Sequence, residues 1–275
     1  LFQETYHRET YRAVHKAGKK ADYDWRVSCM HRAMDAGIDD VGIGVLFGLT
    51  DWRFEVLAMM QHIRSLERAY NCGPHTISVP RIEPAVGCDV SENPPHAVND
   101  ESFKKIVAIL RLAVPYTGLI LSTREGQAMR REALQLGISQ VSAGSRTNPG
   151  GYGLEEEHYE DGAQFSLGDH RSLDEVVRDL AEMGFVPSFC TACYRLGRTG
   201  ADFMDLAKPG EIKAHCQPNA VVTYLEFLKD YGSAAAIQAG MEVIEKTIAA
   251  MDPPIAANTR RMMARIQVGE RDVFC

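Results

Sequence analysis

The residues of this chain best suited to chemistry are Cys190 and Cys193, spaced as C-x-x-C, and Cys216, which follows after twenty-two intervening residues. A turn at C-x-x-C brings two sulfurs to one side, where both can grip one metal centre, and a third thiolate from a distant segment completes the set. Such a site would staple residues 188–193 onto residues 211–216. Three thiolates with the adjacent His215 would make a tetrahedral structural zinc site, although His215 reads more simply as an exposed or supporting neighbour. Three thiolates alone on a 4Fe-4S cubane would leave one iron without a protein ligand, an open and reactive corner. A redox pair of the thioredoxin kind lacks its strand-to-helix context, and a pair of unmetallated core cysteines is the plainest alternative. Cys29, Cys72, Cys88 and Cys275 share no such spacing and read as packing residues or inert thiols.

The elements that must position these residues are of two kinds. Up to about residue 145, short β-type runs alternate with amphipathic helical runs, the signature of strand-helix units and a parallel sheet. Strands are expected at 1–6, 40–46, 76–81, 118–122 and 140–142, with helices at 24–36, 51–70, 100–114 and 125–136. Asp51 and Asp100 read as N-caps, and Gly37 and Gly137 as helix ends. Five strands with four crossovers make about half to five-eighths of an eight-stranded barrel, too few to close. The fold class expected is therefore α/β: part of a TIM-type barrel over residues 1–147, followed over 148–275 by a mostly helical domain that carries the cysteines. Residues 148–168 are polar and glycine-rich and read as an excursion or linker, in which Glu155, Glu156 and Glu157 are ordinary solvated charge. Helices are expected at 172–183, 218–231, 234–250 and 256–266.

Composition narrows the function classes. The 275 residues carry 30 basic and 37 acidic side chains, a formal charge of −7, which is the wrong bias for a nucleic-acid backbone binder. The longest apolar run, 107–121, is broken by Arg111 and Pro115, so no membrane span is expected. Seven cysteines, odd in number and sparse, do not make a secreted disulfide scaffold, and a reducing cytoplasm is the expected location. The chain opens at Leu1 in what reads as the tail of a strand, which suggests a fragment or a cleaved chain.

Four phrases carry a resemblance. Residues Phe2-Gln3-Glu4-Thr5-Tyr6, the run 41–49 (VGIGVLFGL), the run 73–81 (GPHTISVPR) and the run 190–200 (CTACYRLGRTG) together resemble the HydG family of radical S-adenosylmethionine tyrosine lyases, which mature FeFe-hydrogenase. The likeness runs over the whole chain. The barrel phrases are shared more loosely with the thiamine-pathway tyrosine lyase ThiH, whereas the C-x-x-C with its third cysteine separates HydG from it. The C-x-x-x-C-x-x-C loop with which the family holds its S-adenosylmethionine cluster is absent here. The resemblance therefore implies the C-terminal part of such an enzyme, unable alone to start a radical. It also implies the family's reaction: tyrosine is cleaved to p-cresol and dehydroglycine, and the latter yields CO and cyanide on an extra iron attached through free cysteine to an auxiliary 4Fe-4S cluster. The partners implied are tyrosine, S-adenosylmethionine, free cysteine, the missing half of the barrel and the hydrogenase assembly scaffold.

Carried onto this sequence, the resemblance makes Cys190, Cys193 and Cys216 the auxiliary-cluster ligands. The family's histidine for the extra iron is assigned to His75, at a strand start and hence at the bottom mouth of a barrel, where it could face an appended domain; His62, mid-helix, is its rival. Glu4 and Arg26 suit the amino and carboxylate groups of S-adenosylmethionine by charge. Gly42 and Gly44 would let backbone approach the cofactor, although close strand packing explains them equally. For the tyrosine carboxylate the candidates are Arg124 and Arg146, the latter preceded by Ser145, all just past strand ends. Arg195 and Arg198 would balance cluster charge or merely cap helices. The competing readings are a ThiH-like 2-iminoacetate synthase and a non-catalytic, zinc-stapled interaction domain.

Overall fold

The computed structural model describes residues 1–153 and 162–275. Glu155 to Glu157, read above as solvated charge, lie outside the described residues. Two compact units divide the chain, Leu1–His170 and Arg171–Cys275.

The first unit is built on a parallel sheet of four strands in chain order: β1 (Gly42–Gly44), β2 (Thr76–Ser78), β3 (Gly118–Leu121) and β4 (Gln140–Val141). Parallel neighbours need a crossover, and here each crossover is helical: Trp52–Tyr70, Asp100–Ala113 and Gln127–Leu136 follow β1, β2 and β3 respectively. The strands turn Ile43, Val45, Ile77, Val79, Leu119 and Leu121 into one core. The helices meet it with Val56, Met59, Ile63, Phe103, Ile106, Leu110 and Ala133, at the three-to-four-residue spacing that places apolar side chains on one helix face. The opening residues are extended beside β1: Gln3 N donates to Gly44 O at 2.8 Å, Leu46 N donates to Glu4 O at 2.8 Å, and Glu4 bridges Val45 in parallel. The expected first strand thus pairs as a strand would, but only as a single bridge.

Several boundaries expected from sequence need correction. The helix expected over 24–36 is two, Tyr23–Val27 and Cys29–Asp35, because Ser28 Oγ donates to Asp24 O at 2.6 Å and competes with the helical ladder. The helix Asp100–Ala113 is capped by Asn99 rather than Asp100, its side chain accepting from Ser102 N. Asp51 does cap the helix after β1, accepting from Arg53 N, and Gly137 ends its helix at φ 127, a conformation that glycine adopts freely. A helix not expected at all, Arg8–Val14, begins on His7, whose ring accepts from Thr10 N. Finally, the excursion from residue 148 packs with the sheet unit rather than the helical one. Gln164 N donates to Thr147 O, Gly168 N and Asp169 N donate to Thr123 O, and Asp169 pairs at 3.1 Å with Arg130, both side chains only 2% exposed.

The second unit is helical. Leu173–Glu182, Lys213–Tyr231, Ala234–Ala249 and Pro253–Gln267 enclose a core of Val177, Val221, Val222, Leu225, Leu228, Val243, Ile244, Met262 and Ile266. Two short helices, Ala192–Arg195 and Gly200–Ala207, precede the long one. That long helix starts at Lys213, before the expected Pro218, because Cys216 N already donates to Ile212 O at 2.9 Å. Cys216 therefore sits inside the helix near its start. No helix among the described residues is long and apolar enough to cross a membrane.

Candidate functional site

In the helical unit, Cys190 lies just before the turn Ala192–Arg195 and Cys193 lies within it. Ala192 N donates to Cys190 Sγ at 3.3 Å, the N–H···S bond that such a turn offers a thiolate. The segment is tied to the Cys216-bearing helix: Phe189 N donates to Thr223 Oγ1 at 3.1 Å, and the Phe189 and Phe227 rings stack with centroids 4.9 Å apart. Cys193 and Cys190 both act electrostatically on Cys216. Burial, reinforced by Cys193 and Cys190, pushes the Cys216 thiol up to about 11, although the residue as a whole keeps exposed surface. The nearby Arg198 guanidinium opposes that rise, and its Nε is buried without a hydrogen-bond partner. Such a buried N–H is a donor in want of an acceptor, and an anionic group bound nearby would supply one. Among the described residues no group of three or more His, Cys, Asp or Glu converges on the position of a single metal ion; a cubane, which gives each thiolate its own iron, does not ask for that convergence. Cys190, Cys193 and Cys216 are donors of the kind that an iron-sulfur cluster takes. Beside Cys190 runs a groove of about 380 Å³ whose lining includes Phe189, Arg195, Phe227, Asp230 and Arg271.

In the sheet unit, Glu4 and Arg124 come together in one cavity of about 540 Å³, a volume suited to a small molecule. Glu4 holds a left-handed backbone, φ 70, unusual for a residue with a side chain. Its carboxylate accepts from Lys20 Nζ at 2.6 Å, and Arg26 Nη2 lies 3.9 Å away. Glu4 and Arg26 thus sit as an adjacent acid and base, the arrangement that an amino-acid zwitterion would match. Arg124 lays its guanidinium 3.8 Å over the Phe165 ring, and burial lowers its pKa against the opposing pull of Glu83. Burial also raises Glu83, seconded by Glu125, which is held by Arg81.

The other expected residues fall elsewhere. Arg146 donates to Ser145 O at 2.9 Å, and neither residue lines the cavity. A Cβ on Gly44 would meet the Phe2 ring at 2.7 Å and Ser78 O at 2.8 Å, and one on Gly42 would meet Thr76 Oγ1 at 2.5 Å, so close packing accounts for both glycines. His75 directly precedes β2, with Nδ1 3.2 Å from Asp40 Oδ1, a carboxylate contact of the kind that orients a metal-binding imidazole. His62 accepts or donates at Nδ1 with Tyr6 OH at 2.8 Å and stacks on His31 at 5.6 Å.

Several cavity residues went unseen in the sequence: His15, Lys20, Glu83 and Phe165. No motif announces them, since they arrive from separate loops. Glu55 was missed as well. Fully buried in the first turn of its helix, it accepts from Tyr6 N at 2.9 Å and from Thr5 Oγ1, and so fixes the backbone on the C-terminal side of the strained Glu4. The pattern D-x-x-x-E at a helix start was its one sequence signal.

Comparison with solved structures joins the two halves of this description. A crystal structure of HydG, a maturase of the [FeFe]-hydrogenase, matches 100% of this chain at 49% identity with a TM-score of 0.94. Over its whole length the chain is similar to HydG. It spans 59% of that HydG chain, and 56% of HydG from Carboxydothermus hydrogenoformans, which it matches over 95% of its length at 40% identity and a TM-score of 0.73. The Biotin and Thiamin Synthesis associated domain matches residues 78–186 and ends ahead of Cys190. The 2-iminoacetate synthase of Escherichia coli is 36% identical over 188 residues, 68% of this chain and 48% of its own length. Methylornithine synthase, at 21% identity and a TM-score of 0.51, shares the fold alone. The parallel sheet of this chain is accordingly part of a radical S-adenosylmethionine barrel, and a helical unit follows it.

Proposed function

We propose that this chain is the later part of a radical S-adenosylmethionine tyrosine lyase that serves FeFe-hydrogenase maturation, with an auxiliary 4Fe-4S site held by Cys190, Cys193 and Cys216. The observation that supports the proposal is the fastening of the Cys190–Cys193 turn to the helix that carries Cys216, through Phe189 N to Thr223 Oγ1 and the Phe189–Phe227 stack. When bound, the auxiliary cluster would offer a corner without a protein ligand at which an added iron can take up CO and cyanide made from dehydroglycine.

The chain's own residues have separable tasks in this reading. Arg198 supplies the N–H that balances the cluster's negative charge. The groove beside Cys190, with its Arg271–Asp230 and Arg195–Asp272 ion pairs, would admit free cysteine and match its charges of both signs. His75, its imidazole oriented by Asp40, is the proposed donor for the added iron, a role that rests on the family resemblance. Glu4 in the cavity of the sheet unit and Arg26 beside it, outside the cavity lining, would orient the amino and carboxylate ends of S-adenosylmethionine. Arg124, held flat against Phe165, would take the tyrosine carboxylate with its planar fork, with Arg146 as the rival. The hydrogenase assembly scaffold would receive the iron product.

The test is Cys190→Ala with Cys193→Ala in the full-length enzyme. The expected outcome is p-cresol still formed while CO, cyanide and the iron product are lost. Retention of all products would overturn the assignment of the cysteines, whereas an unsubstituted enzyme that forms p-cresol but no CO, cyanide or iron product would favour a 2-iminoacetate synthase, the second reading, which the 36% identity to the Escherichia coli enzyme supports. Colourless protein with one stoichiometric zinc would instead make the cysteines a structural staple.

A further inference from the structure

Among the carboxylates at the cavity of the sheet unit, Glu83 stands apart. Glu4 accepts from Lys20 Nζ at 2.6 Å, and Glu125 accepts from Arg81 Nε at 2.7 Å. Glu83 lines the cavity half-buried, and among the described residues it has neither a hydrogen bond nor an ion pair. Arg124 is its counterpart of opposite sign. It lines the same cavity, its guanidinium lies over the Phe165 ring and donates to Arg81 O at 3.4 Å, and no carboxylate among the described residues pairs with it.

One segment holds both residues in place. Ser166 N donates to Pro84 O at 3.1 Å, Gly168 N donates to Thr123 O at 2.9 Å, and Phe165 supplies the ring against Arg124. On the other flank of Glu83, Ile82 N donates to Phe47 O at 2.9 Å. The backbone is therefore fixed on both sides of Glu83, and the ring and the Arg81 carbonyl hold the guanidinium. The cavity keeps two opposite charges, partly stripped of water and unjoined. Such charges are costly until a ligand completes them. A simple anion would satisfy Arg124 but repel Glu83, and a simple cation would do the reverse. A ligand with an ammonium and a carboxylate on one carbon answers both.

We propose that Glu83 accepts the α-ammonium of the amino-acid substrate whose carboxylate Arg124 takes, so that the two together select an α-amino acid over the corresponding acid or amine. The inference rests on the lyase reading above, which gives Arg124 the tyrosine carboxylate, and it adds the acceptor for the other end of that zwitterion. Glu4, with Lys20 and Arg26 already beside it, remains with S-adenosylmethionine.

The experiment is anaerobic calorimetry on the full-length enzyme with S-adenosylmethionine bound and no reductant, so that nothing turns over. The ligands are tyrosine, its amine-free analogue 3-(4-hydroxyphenyl)propanoate and its carboxylate-free analogue tyramine. Glu83→Gln keeps the shape and removes the charge. It should weaken tyrosine and tyramine about 10- to 100-fold, the loss expected of one charge-assisted hydrogen bond, and leave the propanoate unchanged. Arg124→Gln should weaken tyrosine and the propanoate and leave tyramine unchanged. Unchanged tyrosine affinity in Glu83→Gln would overturn the proposal, and so would an equal loss for the propanoate and tyramine. A loss of S-adenosylmethionine affinity in place of tyrosine affinity would overturn it as well, since Glu83 would then serve the cofactor. The underlying reading fails separately: an unsubstituted enzyme that binds no tyrosine sinks the lyase assignment, whereas normal p-cresol formation with unaltered tyrosine affinity in Glu83→Gln sinks the role of Glu83 alone.

Discussion

His62 illustrates how far a single side chain's environment departs from its sequence context. Burial, aided by the stacked His31, lowers its pKa from 6.5 to about 4, and its Nε2 is enclosed without a hydrogen-bond partner. The neutral ring is the form the fold accepts. Its contribution to stability is therefore present above about pH 6.5 and is lost as the pH falls through about 4, a span worth up to about 3 kcal/mol. Urea denaturation at pH 7 and pH 4.5 should show that loss, and His62→Gln should flatten it; an unchanged slope would remove His62 as its source. Glu55 runs the other way: burial raises its pKa above 4.5, so its neutral form is favoured and its contribution falls as the pH climbs through the raised value. At this scale the sequence was legible where one short motif sets a local turn, as with Cys190 and Cys193. It was not legible where Lys20, Glu83 and Phe165 converge, because only a parallel sheet makes neighbours of loops that far apart in the chain.

Among the elements, the helix Trp52–Tyr70 does two jobs. Its length and apolar spacing pack it on the sheet, and its first turn presents Glu55 to the strand end that carries Glu4. Glu55→Ala should cost on the order of 2–3 kcal/mol in denaturant unfolding, the value of two buried hydrogen bonds plus the donors left unpaired. Glu55→Gln should cost less and abolish the pH dependence just described. A loss under 0.5 kcal/mol for the alanine variant would mean that the Glu4 backbone is held by other contacts. Strands and long helices could be read from the sequence, since Gly137 and Asp51 mark ends in ways that follow from backbone geometry. The break at Ser28 and the helix capped by His7 could not. Both depend on a side chain competing for local backbone groups, a contest of about 1 kcal/mol that composition does not decide.

For the molecule as a whole, the division into a sheet unit and a helical unit follows from the change in periodicity near residue 148, but the exact boundary follows from one ion pair. Arg130 and Asp169 are both 2% exposed, and Arg130 also donates to Ser142 O at 2.6 Å, so the excursion is pinned to the ends of β3 and β4. Removing either charge should cost about 3–5 kcal/mol by denaturant unfolding, whereas replacing both with neutral groups of similar volume should recover most of the loss. Additive single costs in the double variant would show that the two do not act as a pair. The same arithmetic bears on descent. A lineage cannot drift away from this arginine and aspartate one codon at a time without passing through an ancestor too unstable to persist, so the two positions should be inherited, or abandoned, together.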